Sequence, residues 1–277
     1  MSLRPENRRL FAFAIGLAAA GAMLSGHAAL AQTANFPSGG AKLPQWSELS
    51  DWDSVWERGG DLFVWDDRIP VGVPQTPPYN DEYQKQFAQV RPMQRPGRPG
   101  PGGGFPPGGR PPAAGIGAGG NPRAGMPGMM IILRPMEIEV NPHEVLIMIE
   151  GGAVRRIYTD GRLHPVDPIV SGEGHSIGYW KNHELFVDTC CFTADTRLPG
   201  GGPHSDAMHI TEHFYSPKGG MLVDEMSVED PKAFTKPWTT VKTFYRRPDW
   251  ELLPPEPDSG GRPGGPPPAQ APAAPAP

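Results

Sequence analysis

From Met136 to Arg247 apolar residues recur at every second position in short runs, and Gly, Pro, Asn or Asp closes each run. A period of two is the mark of a strand with one buried face, and turn residues this closely spaced leave no length for a helix between runs. In MEIEV, Met136, Ile138 and Val140 alternate with Glu137 and Glu139, which predicts a half-exposed strand ended by Asn141-Pro142. VLIMIE follows as an almost continuous apolar run, the pattern of a strand covered on both faces. Gly151-Gly152 makes a two-residue hairpin link into AVRRIYT, and Asp160-Gly161 makes the next turn. HSIGYW and ELFVDT follow, joined by Lys181-Asn182-His183. MHITEHFY, the turn Pro217-Lys218-Gly219-Gly220, MLVDEMSVE and WTTVKTFYR complete the series. About eight strands linked by hairpins predict an all-β fold, an antiparallel sheet curled into a lipocalin-like barrel or folded into a sandwich.

The chain has 277 residues, of which 37 are Pro and 36 Gly, and most of these fall in two stretches that cannot build a core. Residues 91–128 hold five arginines and no acidic residue among Pro and Gly, and read as a disordered insertion. Residues 253–277 are a Pro/Ala-rich tail of the same kind, and 129–252 hold the antiparallel β domain. At the front, Arg4, Arg8 and Arg9 precede an apolar run from Leu10 to Leu24 and then Ala29-Leu30-Ala31. That order predicts a secretory signal peptide over 1–31, with cleavage after Ala31 and a periplasmic or secreted product. No integral membrane segment is expected once it is removed. Residues 32–90 form a Trp-rich segment in which Trp46, Trp52, Trp56 and Trp65 read as core pieces. It ends in a short helix, NDEYQKQFAQV, capped by Asn80. The net charge of −5 argues against a nucleic-acid partner. The arginines of the insertion offer a contact to an anionic envelope polymer, with a tolerated surface insertion as the plainer reading.

Seven of the eight histidines lie between His143 and His213. His209-Ile210-Thr211-Glu212-His213 matches H-x-x-E-H, a zinc-protease signature that requires a helix. The stretch alternates like a strand, which would set His209 and His213 about 13 Å apart, so no single ion reaches both. No metal and no cofactor are expected. The same alternation turns Glu212 to the apolar side with Met208, Ile210 and Phe214, where it must be paired or neutral. Arg156, on a face with Val154 and Tyr158, is one possible partner. Asp188, on a face with Phe186, is a second carboxylate aimed toward an aromatic. Inside a barrel these groups would stand beside His164 and His204, with Tyr158, Trp180 and Ser205 completing the contacts. Gly174-x-Ser176-x-Gly178 lacks the βαβ context of a nucleophile elbow. Cys190 and Cys191 are adjacent and cannot join distant elements. Two thiols at a strand end is the preferred reading, with a vicinal disulfide or a cross-link to another chain as alternatives.

RRIYTDGRLHP (Arg155 to Pro165), GHSIGYW (Gly174 to Trp180), LFVDT, PHSDAMHITE (Pro203 to Glu212) and DPKAFTKPW (Asp230 to Trp238) occur in this order. As a set they resemble an uncharacterised family of secreted bacterial β-rich proteins, often with a Trp-bearing N-terminal piece and a PPY-type helix like Pro77-Pro78-Tyr79. The resemblance spans most of the folded chain and implies export, without implying an activity. The family usually has an acidic Gly-containing turn where Lys181-Asn182-His183 stands here, and commonly Arg at the position of His213. It also tends to carry cysteines near Gly125-Met126-Pro127 and at the C-terminus, and this chain has neither.

These readings lead to an exported barrel-like protein that binds a small polar or amphipathic molecule in its interior. His164, Asp188, His204 and Glu212 would be the reactive groups, with Arg156, Tyr158, Trp180 and Ser205 as binding contacts. An enzyme of lyase, isomerase or hydrolase type on the same scaffold, using His/carboxylate proton transfer, is the alternative. An envelope interaction protein is a third.

Overall fold

The computed structural model describes residues 36, 40–60, 64–70, 73–89, 125–131, 134–151, 153–217 and 220–253. The expected signal peptide, residues 91–124 of the expected insertion and residues 254–277 of the tail lie outside the described residues. Among the described residues there are nine strands: β1 Ser54–Arg58, β2 Met136–Val140, β3 Glu144–Ile149, β4 Ala153–Tyr158, β5 His175–Lys181, β6 Glu184–Cys190, β7 His209–Tyr215, β8 Met221–Glu229 and β9 Trp238–Arg247. They hydrogen-bond in sequence order and close into a barrel, because β1 also pairs with β9, setting Val55 opposite Arg247 and Arg58 opposite Phe244. The fold is all-β, and the barrel, not the sandwich, is the form it takes. Among the described residues two short α-helices, α1 Asp81–Gln89 and α2 Gly128–Ile131, lie between β1 and β2 in the chain.

Eight of the nine strand junctions are antiparallel; β4 and β5 run parallel, with Ile157 opposite Ser176. By composition this link is another turn at Asp160-Gly161. The chain instead crosses over through residues 159–174 before β5 starts, as a parallel pair requires a connection longer than a hairpin. The expected link at Lys181-Asn182-His183 is a tight turn. Asn182 and His183 both have positive φ, 53° and 62°, the two left-handed positions of a type I′ hairpin between β5 and β6.

Side-chain alternation carries one phase around the whole barrel. Trp56, Ile138, Ile147, Ile157, Leu185, Val187, Ile210, Phe214, Met226, Val228 and Phe244 all face inward and are buried. Each such side chain stabilises the fold by about 1.5–3 kcal/mol through removal from water. The N-terminal segment is part of this body. Trp52, Trp56 and Trp65 are buried as core pieces, whereas Trp46 is exposed. Asn80 accepts from the Tyr83 amide at 3.0 Å and so caps α1. The composition-based limit of the insertion at residue 128 is too late. Gly125, Met126, Pro127 and Gly128 are buried, and α2 follows directly.

Candidate functional site

β7 is extended over His209–Tyr215, so Ile210, Glu212 and Phe214 point into the barrel while His209 and His213 point out. The imidazoles of H-x-x-E-H do not converge. His209 reaches Asp188 and His213 reaches Glu184, each across a strand on the outer face.

Inside, Glu212 is bonded to the Arg155 guanidinium through both of its oxygens, one contact measuring 2.8 Å. The same guanidinium reaches Thr189 Oγ1 at 3.1 Å and Ser176 Oγ at 3.3 Å. The expected partner, Arg156, is therefore corrected to its neighbour. Arg156 is on the outer face and holds Glu144 at 2.7 Å. In AVRRIYT both phases carry one apolar pair, Val154/Tyr158 or Ala153/Ile157. Pairing of Ile147 with Arg155 across β3–β4 selects the second as the inward one.

A second carboxyl stands in the same interior. Asp224 on β8 is wholly buried, shares its phase with Leu222 and Met226, and lies opposite Lys242 of β9. Lys242 does not bond to it. Its ammonium donates to the Val64 carbonyl at 2.8 Å and to Asp67 at 2.9 Å, where Arg58 also reaches Asp67. Both oxygens of Asp224 are thus without a hydrogen-bond partner among the described residues, as is the buried Trp180 Nε1. Burial, followed by the Glu212 carboxylate, pushes the Asp224 carboxyl well above the usual carboxylate range, which favours its protonated form. Burial and the Arg58 charge bring the Lys242 ammonium down to about 8.

Asp224 and Lys242 go unmarked by the sequence motifs, yet the alternation that places them inward is in the sequence. In MLVDEMSVE, Asp224 falls in phase with Leu222, Met226 and Val228, the rule that turned Glu212 inward. Lys242 sits between Thr240 and Phe244 in the same way.

The other expected site residues separate into three places. Trp180 is on the inward phase of β5, its ring 5.0 Å from that of Trp52. His204 and Ser205 belong to the loop before β7 and are held locally. His204 Nε2 meets Thr196 Oγ1 at 2.7 Å, and Ser205 donates its amide and hydroxyl to Asp230 at 2.7 and 2.6 Å. Asp188, His164 and Tyr158 come together on the outer face, which corrects the expectation that Asp188 and His164 line the interior. On β6 the inward positions are Leu185, Val187 and Thr189, so Asp188 alternates outward with Phe186. It is flanked by His209 and by His164 Nε2 at 3.6 Å. His164 Nδ1 lies 2.8 Å from His175 Nδ1, and the His175 ring stacks on Tyr158. Burial would raise the Asp188 carboxyl, but the nearby His164 imidazole and the hydrogen bond with His209 prevail and hold it at about 2.

Comparison with protein families, with curated proteins and with solved structures returned no match. Among the described residues no helix is long and apolar enough to cross a membrane.

Proposed function

We propose that this is an exported barrel protein that holds a small amphipathic molecule in its interior, anchored at Asp224. The observation that carries this reading is a fully buried carboxyl with two unpartnered oxygens, set among Phe214, Leu222 and Met226. A buried polar group without a partner loses its hydration with nothing in return, which is costly unless a bound molecule or water supplies the bonds. In its protonated form this carboxyl offers one donor and acceptor capacity, which suits an uncharged head such as an amide, alcohol or second carboxylic acid. Phe214, Leu222 and Met226 beside it suit a hydrocarbon or aromatic body. Arg155 is already engaged by Glu212 and serves as the fixed polar floor beside it. Trp180 Nε1 provides a further unused donor on the same inward surface.

The test is native mass spectrometry of the full protein purified without denaturant, beside the variant Asp224→Leu. A non-covalent small molecule is expected on the wild type and is lost from the variant. Because the variant removes an orphaned buried carboxyl, its ligand-free form should be at least as stable as the wild type to urea. A wild-type barrel that carries no small molecule and gains none from a mixture of amphipathic acids, amides and alcohols would overturn this reading.

A further inference from the structure

On the outer face, Cys190 and Cys191 are joined to each other as a disulfide. This corrects the expectation of two separate thiols. A bridge between neighbours closes no loop and removes almost no entropy from the unfolded chain, so stability does not account for it. Its surroundings are chemical in character. Cys190 is the last residue of β6, in register with His175 of β5, and Cys191 leaves the strand with a φ of 70°. His164 arrives from the crossover loop, and an imidazole nitrogen of His164 and the two sulfurs all lie within 4.8 Å of one another. All three residues are half-buried, and His164 is oriented by His175 on one nitrogen and Asp188 near the other. A metal takes one ring nitrogen, so the contact on that atom gives way to the cation while the neighbour on the other nitrogen holds the ring in place.

We propose that Cys190, Cys191 and His164 form a binding site for a thiophilic d10 cation, Cu(I) or Zn(II), which becomes available only when the disulfide is reduced. As a disulfide the sulfurs are poor ligands; as thiolates they are the strongest soft donors a protein has. A dithiol reductant attacks one sulfur, the S–S bond breaks, and both cysteines leave as thiols while the reductant departs as its own disulfide. Entry of the cation then forms two S–metal bonds and one N–metal bond and releases the two thiol protons to solvent. The site is on the opposite side of the barrel wall from Asp224 and does not depend on the interior reading.

The experiment uses the full chain, reduced with a phosphine under anaerobic conditions, desalted, and titrated with Zn(II) or Cu(I) against a chromophoric chelator of each. The oxidised protein is titrated in parallel. One equivalent is expected after reduction, with affinity at least about a hundredfold above the oxidised form, and with both thiols shielded from alkylation. Cys190→Ser and Cys191→Ser should each abolish stoichiometric uptake, and His164→Ala should weaken it about tenfold or more, with far-UV circular dichroism of each variant unchanged. Equal binding by oxidised and reduced protein, uptake of neither cation, or unchanged affinity in His164→Ala would overturn the proposal. So would loss of the fold on reduction alone, which would make the bridge structural.

Discussion

Arg155 and Glu212 are an ion pair sealed from solvent on both sides, with side-chain exposures of 1% and 0%. Removing one member of such a pair leaves the other charge buried, which is far worse than removing both. Arg155→Met is therefore expected to lower the unfolding free energy by about 3–5 kcal/mol. The double variant Arg155→Met/Glu212→Leu should recover most of that loss in urea titrations. Lys242 gives a pH signature of opposite character. Its folded pKa of about 8 lies below the ordinary value of 10.5, so the unfolded chain binds more protons between these limits. The penalty for burying the ammonium is fully present below about pH 8 and is relieved as the pH climbs toward 10.5, so stability rises with pH in this window. Denaturation of the wild type relative to Lys242→Met at pH 7.5 and 10 should show that gain, on the order of 2–3 kcal/mol, and its absence from the variant. At this scale the inward turn of Glu212 was legible because alternation fixes the phase of a single strand. Its partner was not. Two adjacent arginines occupy both phases, and only the register of β4 on β3 decides between them.

The element least visible beforehand is β1. SVWER is only five residues long and sits among Trp and Asp residues that read as irregular packing, so its strand character lies in what it pairs with. Trp56 is its anchor, 1% exposed, with its indole N–H donated to the Trp52 carbonyl at 2.9 Å. Trp56→Ala is expected to lower the unfolding free energy by about 3–5 kcal/mol, measured by chemical denaturation, because the cavity opens where the first and last strands meet. Residues 64–67, beyond β1, lie against β9. The Asp67 amide donates to the Val241 carbonyl, and Trp65 stacks on Trp238 at 3.7 Å between ring centroids. The crossover between β4 and β5 escaped the sequence reading for a related reason. Asp160-Gly161 is a turn by composition, and nothing local states that the strand after it will run parallel.

For the whole molecule, strand type and inward phase were legible from period and turn residues, but closure was not. A sheet of the same eight strands could stack as a sandwich; it becomes a barrel because β1 fills the gap between β2 and β9. Deleting residues up to Gly60 is expected to expose the edges of β2 and β9 and to convert a monodisperse protein into aggregate, read by size-exclusion chromatography with light scattering. A soluble, monodisperse truncated protein would show that the remaining eight strands close without it. The union of the first strand with the last also sets an order of events during synthesis. Until the ribosome has released the residues of β9, the opening strand has nothing to dock on, so the chain emerges without its final architecture and completes it only through its most distant contacts, a route that is slow by its nature. A message cut short anywhere ahead of Trp238 would thus yield no smaller working version of this protein, only an unfinished one.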